Sequence, residues 1–134
     1  MSVLQGIGGV FLYANDAAAL AAWYADKLGL VLQNWGNTHG LEFPSADIEP
    51  DGRQASTVFA IFQAEAPLPA GIRTGRVNFR THELDSLLAR LRAEGMEIPQ
   101  PDDSSYGRFA WIHDPEGNKV ELWEPPRLEA TPQP

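Results

Sequence analysis

A chain of 134 residues with 43% hydrophobic residues fits one cored domain and is too apolar to stay disordered. A net charge of -8 and the lack of a basic stripe argue against binding to nucleic acid, which needs cations to replace counterions. With no cysteine there are no disulfides, thiolate metal sites or cysteine nucleophiles; no secretion signal or membrane-length apolar run is read, and a cytoplasmic location is expected.

In chain order, Gly6 to Ala14 is β-like, and Asn15 or Asp16 offers a helix N-cap. Ala17 to Leu28 reads as a helix with Leu20, Trp23, Tyr24 and Leu28 on one apolar stripe, and Gly29 is its left-handed stop. Leu30 to Trp35 and Leu41 to Phe43 read as strands, Pro44 to Gln54 as a loop, and Ser56 to Gln63 as a fourth strand. Ala64 to Thr74, with Pro67, Pro69 and Gly71, reads as a linker.

The order then repeats. Arg76 to Thr81 is a strand, and Thr81 or His82 is the expected cap of a helix carrying Leu84, Leu87, Leu88 and Leu91 and ended by Gly95. Met96 to Ile98 reads as a short strand and Pro99 to Ser105 as a loop. Arg108 to Ile112 and Lys119 to Glu124 are strands joined by the turn Asp114-Pro115-Glu116-Gly117-Asn118. Gly29 and Gly95 are 66 residues apart, and Val10 and Val77 are 67 apart, which marks an internal duplication. The expected fold is α+β: two βαβββ modules with pseudo-twofold symmetry and curved sheets around a cleft. The boundaries are one domain over 1–125, with module one at about 5–64, the linker at about 65–74 and module two at about 75–125, and a loose tail at 126–134.

The run Asp114 to Pro125, with the stretches Ala22-Trp23-Tyr24 and Leu28-Gly29-Leu30, resembles the vicinal oxygen chelate superfamily of glyoxalases, bleomycin-resistance proteins and dioxygenases. The resemblance spans Ile7 to Pro125. It implies four metal-ligand positions, His or Gln on the first strand and Glu on the last strand of each half. Here they fall on Gly9, Ala60, Arg76 and Glu121, and only Glu121 can donate. No metal or other cofactor is therefore expected. His39, His82 and His113 fall outside the pattern and read as surface or capping residues, with a proton shuttle at the cleft mouth as the alternative for His39 and His113.

Strand alternation sorts the remaining side chains. Gly9, Phe11, Tyr13, Val58, Ala60, Phe62, Arg76, Asn78, Arg80, Glu121 and Trp123 share the cleft side, while Val10, Leu12, Phe59, Ile61, Val77, Phe79, Val120 and Leu122 form the core side. The expected ligand-binding residues are Phe11, Tyr13, Phe62, Arg76, Asn78, Arg80, Glu121 and Trp123, with Trp111 or Trp35 at the rim. Arg76 and Glu121 are expected to form a buried ion pair where the family places its metal.

The function this favours is a metal-free binder of a planar or amphipathic small molecule, of the bleomycin-resistance type. The alternatives are a metal-dependent lyase, isomerase or dioxygenase, a metal-free acid-base role for Glu121 or Tyr13, and an accessory domain acting through its dimer. The resemblance implies a homodimer; no nucleic-acid or membrane partner is expected.

Overall fold

The structure, a computed structural model, describes residues 6–71 and 75–126, so the expected tail over 127–134 lies outside the described residues. The chain divides into two compact units at Gly71/Ile72. Each unit is a four-stranded mixed sheet with one helix, and each follows the order βαβββ.

In the first unit, β1 (Gly9–Ala14) leads into α1 (Ala17–Leu28). Asp16 caps α1 by accepting from the Ala19 N–H at 3.0 Å, and Gly29 ends it at φ 69°, a conformation that costs a residue with a Cβ. Leu20, Ala21 and Tyr24 are buried on the sheet, where the Tyr24 ring meets Phe59 at 5.2 Å. β2 (Gln33–Asn34), β3 (Thr38–Ile48) and β4 (Gln54–Gln63) complete the sheet in the order β1-β4-β3-β2, with β1 parallel to β4.

Two expectations are corrected in this unit. The strand expected over Leu30 to Trp35 shrinks to two residues. The strand expected over Leu41 to Phe43 extends to Ile48, through Pro44 and into the expected loop. A proline is tolerated there because β2 pairs only with His39 and Gly40, which leaves the rest of β3 an edge, and the ladder is irregular between Pro44 and Ile48.

In the second unit, β5 (Arg76–Arg80) precedes α2 (Leu84–Ala93), and β6 (Asp102–Ser104), β7 (Gly107–His113) and β8 (Lys119–Glu124) follow. The sheet order is β5-β8-β7-β6, with β5 parallel to β8. Leu84, Leu88 and Leu91 are buried with Val120 and Leu122, both expected on the core side from alternation, and with Ala110 and Ile112 of β7. The Asp114 carboxylate holds the β7–β8 turn by accepting from the Glu116 and Asn118 backbone N–H groups and from the Asn118 side chain.

Three further expectations change here. The N-cap of α2 is Glu83, which makes no side-chain cap; Glu124 on β8 instead accepts from the Leu84 N–H at 2.9 Å. Thr81 does bond the Glu83 N–H, one step before the helix. Met96 to Ile98 is not a strand, and the Arg92 guanidinium takes the Ile98 and Pro99 carbonyls. The expected loop over Pro99 to Ser105 contains β6. Among the described residues, no helix is long and apolar enough to cross a membrane.

Candidate functional site

In the second unit, the sheet face opposite α2 carries a centre of fixed polar and aromatic groups. The parallel register sets Asn78 opposite Glu121, Arg76 opposite Lys119 and Arg80 opposite Trp123. The antiparallel register on the other side sets Trp111 opposite Glu121 and Phe109 opposite Trp123. Partners in register point to the same face, so these side chains share one surface.

Glu121 is the polar centre, with 7% of its surface exposed. Asn78 donates to Oε2 and the Trp111 indole donates to Oε1, both at 2.8 Å. Arg76 Nε stands 3.5 Å from Oε1. Burial under its neighbours pushes the Glu121 carboxyl up, but the Asn78 and Trp111 hydrogen bonds and the charges of Arg76 and Lys119 outweigh it and hold the group below the usual glutamate range. The expected Arg76–Glu121 pair therefore exists, but it is not buried at both ends: the arginine side chain is 52% exposed. The shorter contacts belong to Asn78 and Trp111.

The aromatic side chains around Glu121 are also fixed. Trp123 donates its indole N–H to the Tyr106 carbonyl at 2.8 Å. Phe109 stands 6.3 Å from Trp111 and 6.2 Å from Trp123 between centroids, with interplanar angles of 12° and 16°. Three nearly parallel rings thus line one face, and Lys119 Nζ lies 5.5 Å from the Trp111 ring centre. At the turn end of β7 and β8, Trp111, His113 and Lys119 join Met96 and Pro99 around a cavity of about 440 Å³.

In the first unit, Phe11, Tyr13 and Phe62 come together as expected: the Phe62 ring is 5.6 Å from each of the other two. Phe11 and Tyr13 are exposed, and Tyr13 and Phe62 border a cavity of about 600 Å³ with Ala64 to Leu68. The Trp35 ring is exposed and covers Gly40 so closely that a Cβ there would overlap it; Gly40 stands opposite Ala60, on the side that carries Phe11.

The family's metal positions do not carry a matching donor set. A Cβ on Gly9 would lie 2.7 Å from Phe11 Cζ and 2.9 Å from the Val58 carbonyl, so Phe11 covers the place where a ligand side chain would begin. Ala60 brings a methyl, Arg76 brings no lone pair, and both Glu121 oxygens already accept hydrogen bonds. Among the described residues, no three of His, Asp and Glu group as metal ligands.

Trp111, expected only at the rim, and Phe109, absent from the expected ligand-binding residues, both stand on this face. The signal was available: the Asp114 to Asn118 turn fixes His113 opposite Lys119, and counting back by twos places Trp111 and Phe109 beside Glu121 and Trp123.

Residues 6–122 match the family described as the Glyoxalase/Bleomycin resistance protein/Dioxygenase superfamily, and the chain belongs to it. It is 26% identical over 125 residues to the uncharacterized protein YaeR of Escherichia coli (strain K12), covering 90% of this chain and 97% of YaeR. Among solved structures it is similar to the oxidase ChaP-H2 (21% identity, TM-score 0.67, covering 93% of this chain and 96% of that one). It is also similar to TnmS3, an antibiotic binding protein from Streptomyces sp. CB03234 (22% identity, TM-score 0.65, covering 94% and 100%). At such identities the structural likenesses establish the fold alone.

Proposed function

We propose that this protein binds a planar or amphipathic small molecule without a metal, using aromatic sheet faces as the binding surface. The observation that carries the reading is the set of parallel rings Phe109, Trp111 and Trp123 around Glu121. Both indole N–H groups are bonded within the protein, so the rings are held in place and little side-chain entropy is lost when a flat ligand stacks on them. Phe11, Tyr13 and Phe62 supply a second aromatic group in the other unit.

Two facts support the absence of a metal from this function. The donor set at the family positions is Gly9, Ala60, Arg76 and Glu121, and the one carboxylate among them is already hydrogen-bonded through both oxygens. An open catalytic metal site is ordinarily built on about three protein ligands. The antibiotic-binding role of TnmS3 agrees with a binder. Homodimerisation and a cytoplasmic location belong to the same proposal, and light scattering on the purified protein tests the first of them.

The test is elemental analysis of the purified protein followed by titration with phenazine, a neutral planar tricycle, read by tryptophan fluorescence. The reading expects sub-stoichiometric metal and a saturable quench. Stoichiometric iron, zinc, nickel or manganese, or a quench that does not saturate, would overturn it.

A further inference from the structure

We infer that Arg80 and Trp123 form a subsite for an aromatic carboxylate, with the ring on Trp123 and the carboxylate on Arg80. This deepens the binding function proposed above and rests on it.

Most of the cations and hydrogen-bond donors on this face are already engaged. Asn78, Trp111 and Arg76 are engaged with Glu121. Lys119 lies against the Trp111 ring. The Trp123 N–H is taken by the Tyr106 carbonyl, so Trp123 offers a ligand only its ring. Of the cations on this face Arg80 is left: it is exposed, and it has no ion-pair partner among the described residues. The parallel register places it beside Trp123 on the same face. Neighbouring strands are about 4.8 Å apart, so a guanidinium and an indole face from this pair can reach the two ends of one small molecule.

The local charge agrees. The whole chain carries -8, yet on β5 and β8 this face holds Arg76, Arg80 and Lys119 against the single carboxylate of Glu121. The other acid on this face, Asp102, pairs with Phe109 on β6, the opposite edge of the sheet. An excess of positive charge in an acidic protein selects for an anionic ligand, and the planar guanidinium fork suits a carboxylate.

The experiment compares phenazine, phenazine carboxylate and aminomethylphenazine by isothermal titration against the wild-type full chain and an Arg80→Gln variant. Arg80 makes no ion pair among the described residues, so the variant is expected to fold, and far-UV circular dichroism checks that it does. The carboxylate should bind about tenfold more tightly than neutral phenazine, and the aminomethyl compound more weakly than either. Arg80→Gln should remove the tenfold advantage of the carboxylate over neutral phenazine, and raised salt should weaken only the carboxylate. If phenazine binds but the carboxylate gains nothing, or keeps its gain in Arg80→Gln, the subsite is wrong while the binding function stands. If none of the three binds, both fall.

Discussion

Replacing Glu121 tests the polar centre of the second unit most directly. In Glu121→Leu, the Trp111 N–H loses its acceptor; leaving such a donor unsatisfied costs about 1–3 kcal/mol. Asn78 is exposed and can turn to water, so its loss is smaller. The Arg76 ion pair is half exposed and is worth about 0–1 kcal/mol after solvent screening. Against these stands the relief of no longer desolvating a carboxylate. The net expectation is a loss of about 1–3 kcal/mol. In Glu121→Gln, Asn78 can turn its amide over and Trp111 keeps an oxygen, so only charge assistance is lost, at about 1 kcal/mol.

The two variants also differ from the wild type with pH. The Glu121 carboxyl is held below its usual range when folded, so its contribution is complete above the unfolded pKa and is lost as pH falls through the folded one. Urea unfolding followed by tryptophan fluorescence, from neutral pH into acid, should show the gap between wild type and Glu121→Gln closing below about pH 4. A gap that stays constant with pH, or a Glu121→Leu protein within about 0.5 kcal/mol of wild type, would show that the Glu121 carboxylate does not stabilise this centre.

Three further substitutions probe the fold around the candidate surfaces. Gly9→Ala should cost about 1–3 kcal/mol in urea unfolding, and Phe11→Ala in the same chain should recover only part of it, because the Val58 carbonyl still crowds the new Cβ. Glu124→Ala removes the acceptor of the Leu84 N–H and should destabilise by about 1 kcal/mol, with the amides in the first turn of α2 losing hydrogen-exchange protection first. Gly40→Ala must displace the Trp35 ring, so it should shift tryptophan emission while leaving the far-UV circular dichroism unchanged.

Where local chemistry decides structure, the sequence was readable. Asp16 and Gly29 bound α1 at the expected residues, and the Asp114 turn sets the β7–β8 hairpin. Where a distant residue decides it, reading failed. The start of α2 is capped by Glu124, forty residues later in the chain. The segment after α2 is held by Arg92 rather than by a strand partner. Pro44 argues locally for a loop, but β4 carries β3 past it.

The candidate site divides the same way. Alternation grouped Arg76, Asn78, Arg80, Glu121 and Trp123 on one face, and the register confirms that grouping. It could not rank the neighbours of Glu121, because the stagger of two parallel strands is fixed by long-range packing. Arg76 was favoured, whereas Asn78 stands directly opposite and Trp111 makes the other short bond.

The function proposed for this member of the superfamily is binding of a flat molecule on aromatic faces without a metal. The most direct measurement is the phenazine titration repeated before and after exhaustive dialysis against a chelator. The same saturable tryptophan quench is expected in both samples, reduced in a Trp123→Ala variant. A quench that disappears with the chelator and returns on adding a divalent metal would contradict it.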